Sequence, residues 1–240
     1  NILSDVTGAE VVIVNTCAFM DAAKQECIDT ILEYAALKKE GRIKGIVVTG
    51  CMAQRYADEL KAEMPEVDCI LSPGCNDDIC EAVKAAAAGK KLCKVNEPEQ
   101  LVLTGDRIRS TPDGWAYLKI ADGCDNRCSY CTIPFIRGAF RSVPIPDLVA
   151  EAKELVDGGV SELILIAQDT TRYGEDIYGK QSLPELVEAL SKIEALKKIR
   201  IMYLYTDRIS DEIIDCFANN PKVVKYIDLP LQHADEKVLK

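Results

Sequence analysis

Several features of membrane, secreted and nucleic-acid-binding proteins are missing from this 240-residue sequence. There is no signal peptide and no apolar run of membrane-spanning length, so we expect no membrane partner. The eleven cysteines are too few for a disulfide-dense secreted scaffold, and their number is odd. The net charge of −10 at pH 7 gives little electrostatic reason to bind nucleic acid, outside a local basic patch or a further domain. These absences predict a protein of the reducing cytoplasm.

The apolar content, 48% of the residues, is enough for a substantial core. At roughly 100–200 residues per domain, the length allows one or two domains. The order of the predicted strands and helices favours two, an amino-terminal domain over 1–95 and a second domain over 115–240. The intervening stretch 96–114, which mixes Pro, Asp, Arg and Thr, is the predicted linker. The chain starts at Asn1 and ends in a helix-like run without a stop signal, so we expect a fragment whose carboxy-terminal part is missing.

The amino-terminal domain is predicted to be an open parallel α/β sheet, because short β-branched runs alternate with helix-like stretches. The predicted strands and helices fall at 11–14, 20–39, 45–49, 54–64, 69–71 and 77–89. Cys17 and Cys51 follow the first and second of these strands at equivalent positions. Ligand sites of such sheets collect beyond the carboxyl ends of the strands, so we expect the two cysteines to converge on one metal site.

The second domain continues as a βα series, which predicts a partial TIM-like barrel. Its predicted strands are 115–120, 163–167, 199–205 and 223–229, and its predicted helices are 146–156, 183–196 and 211–219. In such barrels the chemistry lies on the loops after the strands. Three groups of polar or thiol side chains fall there, and they lie at 124–131, 168–169 and 232–233.

The most informative of these groups is a short loop that carries Cys124, Cys128 and Cys131. Three thiolates from one loop leave one iron of a [4Fe–4S] cluster without a local protein ligand, and an open iron is where chemistry can happen. A cluster that only transfers electrons normally takes four cysteines, and a structural zinc site also needs four closed ligands. A disulfide, or a chance grouping of buried cysteines, is the alternative explanation. Three close thiols preceded by a glycine favour the cluster.

The motifs of both domains together resemble one family, the radical-SAM methylthiotransferases. The matching segments are 15–17, 48–56, the cysteine loop with 133–134 and 137–138 after it, and 229–233. Within the family, one branch modifies an aspartate of a small-subunit ribosomal protein and the other modifies an adenosine of transfer RNA. Segment 166–174 contains Gln-Asp-Thr, which resembles the ribosomal-protein branch, whereas the tRNA branch usually has Gln-Asn-Val. The tRNA enzyme remains the alternative, and a non-catalytic iron–sulfur or zinc protein is a third hypothesis.

The resemblance implies two [4Fe–4S] clusters and S-adenosylmethionine as cofactors. The cluster on Cys124, Cys128 and Cys131 would bind S-adenosylmethionine and, with an electron from an external donor, produce the radical that removes a hydrogen from the β-carbon of the aspartate. The auxiliary cluster would be held in part by Cys17 and Cys51 and would offer a methylated sulfur to the carbon radical. The family has three auxiliary ligands, of which Cys17 and Cys51 match the second and third, and the first is expected before Cys17 and outside this chain.

The resemblance and the positions after the strands also indicate cofactor-binding side chains, each with a plainer alternative. Tyr130 would pack beside the adenine or simply within its loop. Gln168 and Asp169 would hydrogen-bond the cofactor, orient the substrate, or be solvated loop residues. Gln232 and His233 are placed with them, although a single histidine is more often a structural residue than a ligand. The remaining cysteines are predicted to be ordinary buried or helix thiols, and they are Cys27, Cys69, Cys75, Cys80, Cys93 and Cys216.

Overall fold

The computed structural model describes residues 2–3, 6–98, 103, 105, 111–231 and 233–239. Gln232 and much of the predicted linker 96–114 therefore lie outside the described residues. Contacts divide the chain into two units, of which the first combines Asn1–Val102 with Asn126–Gly138 and the second combines Leu103–Asp125 with Ala139–Lys240. The segment that follows Cys124 and Asp125 thus belongs with the amino-terminal unit, while the detailed domain boundaries stay a prediction.

The first unit contains a parallel sheet with strand order β1-β2-β3-β4. Its strands are β1 Val11–Thr16, β2 Gly45–Gly50, β3 Cys69–Leu71 and β4 Leu92–Lys94. All six residues of β2 are buried, because the strand has a neighbour on both sides and apolar clusters on both faces of the sheet. The sequence did not indicate β4, whose short run between lysines is held by its pairing with β3.

The helices of this unit are α1 Asp21–Lys39, α2 Cys51–Arg55, α3 Ala57–Glu63 and α4 Ile79–Ala87. The prediction of one helix over 54–64 is wrong, because the backbone of Tyr56 (φ −129°, ψ 34°) leaves the helical region and separates α2 from α3. In addition, α2 begins at Cys51, directly after β2. The predicted helix at 77–89 is a 3₁₀ helix, Pro73–Asp78, followed by α4.

The second unit contains a parallel sheet with strand order β5-β8-β9 and a small antiparallel ladder of β6 with β7. The strands are β5 Trp115–Lys119, β6 Ala121–Asp122, β7 Arg141–Ser142, β8 Glu162–Ile166 and β9 Lys198–Ile201. The helices from here to the end of the chain are α5 Ile133–Arg137, which belongs to the first unit, α6 Ile145–Asp157, α7 Glu175–Tyr178, α8 Leu183–Ser191, α9 Asp211–Asn219 and α10 Glu236–Leu239. The α/β architecture predicted from the sequence is confirmed.

Two predicted strands of the second unit differ from the structure. The strand predicted over 199–205 ends at Ile201, because Tyr203 has a left-handed backbone (φ 60°) that turns the chain out of the ladder. The predicted strand 223–229 is reduced to one bridge, between Ile199 and Val223. Within the described ranges, no helix is both long and apolar enough to cross a membrane.

Candidate iron–sulfur and cofactor site

The cysteine loop starts from the β6–β7 ladder, whose two residue pairs hold the chain together on either side of it. The backbone is left-handed at Gly123 (φ 80°) and at Arg127 (φ 49°), immediately before Cys124 and Cys128. A turn follows, in which the Cys131 N–H donates to the Cys128 carbonyl over 2.9 Å. Each of the three cysteines is partly exposed, and none of the eleven cysteines is part of a disulfide. Thiols of this kind are accessible to an incoming metal.

The loop supplies side chains that are suitable iron ligands, but they are not already arranged as a metal site. In the part of the chain that the structure describes, no three His, Cys, Asp or Glu side chains are gathered as a metal ion would require. Three thiols on one short, partly exposed loop are nevertheless the donor set of an iron–sulfur cluster with one open iron. The roles of Cys124, Cys128 and Cys131 as ligands stay a prediction.

The other two predicted ligands lie at one edge of the first sheet. Thr16 pairs with Gly50 in the β1–β2 register, so Cys17 and Cys51 each follow directly after a paired residue, as the sequence predicted. The Thr16 hydroxyl donates to the Thr49 carbonyl (2.6 Å) and accepts from the Met52 N–H (3.2 Å), which fixes the start of α2 beside the end of β1. This arrangement presents two partly exposed thiols at neighbouring strand ends.

Glycine is required at position 50 for the start of α2 to lie close to the end of β1. Its backbone (φ 95°, ψ −160°) is in a region that is essentially limited to glycine. A β-carbon added there would lie 2.4 Å from the Thr16 carbonyl oxygen and 2.6 Å from Asn15 Oδ1. The absence of a side chain at Gly50 therefore allows the β2–α2 junction, and with it Cys51, to lie against the end of β1.

A third thiol lies in the same region, which the sequence pattern did not single out. The backbone N–H of Cys17 donates to the Sγ of Cys27 over 3.3 Å. Cys27 belongs to α1 and is partly buried against the apolar cluster that contains Val14 and Met52. Cys27 is therefore a helix thiol, as predicted, and it also contacts the backbone of the predicted ligand Cys17.

After β8, the structure separates the two neighbours Gln168 and Asp169. The side chain of Gln168 is exposed, whereas Asp169 is fully buried. The Asp169 carboxylate accepts hydrogen bonds from the N–H (3.1 Å) and the hydroxyl of Thr171, and it pairs with Arg208 Nη1 at 2.9 Å. The structure gives Asp169 an internal positioning role, and its predicted contact with a cofactor stays a prediction.

The loops after β8 and β9 are joined through Thr170 and Tyr203. The Thr170 N–H donates to the Tyr203 carbonyl (3.1 Å), and its hydroxyl donates to the Met202 carbonyl (2.8 Å). The N–H of Tyr203 donates to a carboxylate oxygen of Asp228 at 2.8 Å. A left-handed, non-glycine residue is strained and requires such support. Tyr203 was not identified from the sequence, and its ring is about half exposed at the carboxyl edge of the sheet.

The remaining predicted residues are less constrained. Tyr130 is largely exposed within the cysteine loop. His233 is exposed, and its Nδ1 accepts a hydrogen bond from the Asp235 N–H (2.9 Å) in a local turn. The structure does not describe Gln232. Their cofactor roles stay predictions.

A basic side chain, Arg172, lies beside the first residues of the cysteine loop. Its guanidinium pairs with Asp125 and with Glu175, and it lies over the ring of Phe140. Burial, the largest single influence, lowers the pKa of Arg172, but the hydrogen bond to Glu175 and the charges of Glu175 and Asp125 outweigh it, so the pKa is raised. Arg172 is therefore a permanent cation in this position. Sequence reasoning did not identify it, although it lies within the segment that distinguishes the family branches.

The chain is similar to known proteins over its whole length. Residues 118–240 match the radical SAM superfamily, and residues 1–72 match the uncharacterized protein family UPF0004. A protein of Desulforamulus reducens is 49% identical and one of Clostridioides difficile is 46% identical, each over 100% of this chain, and both are called ribosomal protein uS12 methylthiotransferase RimO. The chain spans about half, 54%, of the length of each.

A solved structure shares the fold. It is that of TsrM from Kitasatospora setae, a radical S-adenosylmethionine methyltransferase with tryptophan substrate and a SAM analog bound. The similarity covers 96% of this chain and 49% of that one, with a TM-score of 0.63 and 12% sequence identity. At this identity the likeness concerns the fold alone, and it extends over both units of the chain.

Proposed function

Because the chain belongs to the radical SAM superfamily, and within it to the methylthiotransferases, we propose that it transfers a methylthio group to the β-carbon of an aspartate in the ribosomal protein uS12. The substrate is inferred from the names of the relatives that are 46–49% identical. An external electron donor is required, and the site of action is the cytoplasm, where ribosomal proteins are found. The observation that carries the proposal is the combination of two sets of cysteines in one chain. One set is the three-cysteine loop after β6, and the other is the pair that follows the paired ends of β1 and β2.

Five cysteines would hold the two clusters. Cys124, Cys128 and Cys131 would hold a [4Fe–4S] cluster as deprotonated thiolates, which leaves one iron open for S-adenosylmethionine. Cys17 and Cys51 would hold part of an auxiliary [4Fe–4S] cluster. When bound, these cofactors supply radical hydrogen abstraction and a transferable sulfur, which protein side chains alone cannot provide.

The residues of this chain would bind and position the reactants. Gln168 is exposed at the end of β8 and would hydrogen-bond the cofactor or the substrate. The buried carboxylate of Asp169 fixes the backbone beside it through Thr171 and Arg208. Tyr130 would pack against the cofactor from within the cysteine loop. The burial of Asp169 and its bonds to Thr171 and Arg208 support a rigid edge beside Gln168, which would limit small movements of the reactants.

The test uses the full-length protein, reconstituted with iron and sulfide without oxygen. It is incubated with a reductant and S-adenosylmethionine, and with either uS12 or transfer RNA, followed by mass spectrometry of both substrates. We expect a methylthio addition on an aspartyl peptide of uS12. Addition to an adenosine of the RNA instead would overturn the substrate, and failure to cleave S-adenosylmethionine would overturn the reaction. The variant Cys128→Ala is the control that should abolish both cleavage and transfer.

A further inference from the structure

The base of the cysteine loop is closed by contacts that lie entirely within the second unit. The chain leaves this unit after Asp125 and returns to it at Ala139. Across this gap, the N–H of Phe140 donates to Asp125 Oδ2 over 3.3 Å. This hydrogen bond joins the two ends of the segment that carries Cys128 and Cys131. The first of these ends, Asp125, directly follows Cys124.

One side chain from another loop contacts both of these ends. Arg172 Nη1 lies 3.3 Å from Asp125 Oδ2, and the guanidinium carbon lies 5.0 Å from the centre of the Phe140 ring. Its Nε is held by Glu175 at 3.0 Å, and only 18% of the side chain is exposed. A planar guanidinium can pair with a carboxylate and lie over an aromatic ring at the same time, which a lysine ammonium does less well.

We propose that Arg172, with Asp125 and Phe140, is a clasp that holds the ends of the cysteine loop together and so positions its thiols for iron. The inference rests on the proposed function in one respect, that this loop binds a cluster. A loop whose ends are already joined loses less conformational freedom when its thiols are brought to one cluster. The β6–β7 ladder has only two residue pairs, and so short a ladder is weak alone. The clasp adds to it a charged pair and a ring contact.

The role assigned to Arg172 is positioning, since it acts through Asp125 and Phe140 and need not touch the cluster. Supporting residues around metal ligands typically change metal affinity by about 10–100-fold when they are replaced. Because Arg172 acts through the loop ends and not on a ligand directly, we expect an effect near the lower limit of that range.

The test measures how fast the loop cluster loses iron to a ferrous chelator. It uses the full-length protein with Cys17→Ala and Cys51→Ala, so that only the loop cluster is reconstituted. In this background, Arg172→Gln should release iron about tenfold faster, and Arg172→Lys should be intermediate. The matched control is Arg200→Gln, since Arg200 also pairs with a carboxylate (Glu162, 2.9 Å) and lies near a ring (Tyr226, 5.9 Å), both away from the loop.

A double variant separates the clasp from general destabilisation. If Arg172 acts through Asp125, then Asp125→Asn combined with Arg172→Gln should release iron no faster than Arg172→Gln alone. Iron release from Arg172→Gln at the background rate, or an equal acceleration by Arg200→Gln, would overturn the clasp. Absence of any iron uptake by the background protein would instead overturn the proposed cluster site, and the clasp with it.

Discussion

Replacing Gly50 by alanine should separate the ends of β1 and β2. Two costs add at this position. The backbone of Gly50 is in a region where other residues are strained by about 1–3 kcal/mol. The new β-carbon would also lie 2.4 Å from the Thr16 carbonyl oxygen, whereas ordinary contacts begin at 3.4 Å, so β1 must move by the difference, 3.4 − 2.4 = 1.0 Å. Forced shifts of packed groups cost about 1–3 kcal/mol, which gives a total loss of about 2–6 kcal/mol.

Gly41 provides the matched control. Its backbone is also left-handed (φ 75°), but an added β-carbon would meet no atom within 4 Å. Gly41→Ala should therefore cost only the backbone strain, about 1–2 kcal/mol. The difference between the two variants reports the contacts with Thr16 and Asn15 together with the more restricted backbone of Gly50.

The assay is urea unfolding of the full-length protein, combined with amide hydrogen exchange of peptides that cover β1 and β2. Gly50→Ala should unfold at lower urea than Gly41→Ala and should exchange faster at the paired ends of both strands. Equal unfolding of the two variants, with unchanged exchange in β1, would refute the role assigned to the missing side chain.

Three further predictions concern other parts of the chain. Arg208→Leu should destabilise the protein by about 2 kcal/mol, below the usual cost of breaking a fully buried pair because Arg208 is one-third exposed. In urea unfolding, the double variant with Asp169→Asn should regain part of that loss, and strictly additive losses would contradict the pairing. Burial raises the pKa of the Tyr173 hydroxyl, so the stability from this group is complete below pH about 10 and is lost as the pH rises further. Tyr173→Phe should flatten this alkaline decline and cost about 1 kcal/mol at neutral pH through the lost hydrogen bond to the Val143 carbonyl (2.6 Å), as followed by unfolding at several pH values. Cys51→Ala should lower the iron of the reconstituted protein from about eight atoms per chain to about four, and an unchanged iron content would contradict its place as a ligand.

The sequence was sufficient for features that depend on local pattern and on parallel pairing. The placement of Cys17 and Cys51 at neighbouring strand ends is confirmed, because β-branched runs identify β1 and β2 and parallel register brings their carboxyl ends to one edge. The predicted family is also confirmed by the comparisons. It could be predicted from the sequence because its motifs are short and local. Whether the cysteines bind iron stays a prediction.

Features that depend on contacts between distant residues could not be read in the same way. The strand predicted over 223–229 has suitable residues but lacks a ladder partner, because the chain turns away from β9 at Tyr203. The sequence predicted that Asp169 binds the cofactor or orients the substrate, with a solvated loop residue as the alternative, and it gave no sign of the pairing with Arg208 far along the chain. The contacts of Arg172 could not be predicted from the sequence for the same reason, since its partners Asp125 and Phe140 belong to a different loop.

The strained residue Tyr203 has a consequence for engineering of the sheet edge. Its carbonyl accepts from Thr170 and its N–H donates to Asp228, so neither of the two peptide groups that flank Tyr203 can rotate without breaking a bond to another loop. A loop graft after β9 whose backbone followed a different path would leave Thr170 and Asp228 without these bonds. Transplanting a new specificity onto this edge will therefore require exchanging all three segments as one block.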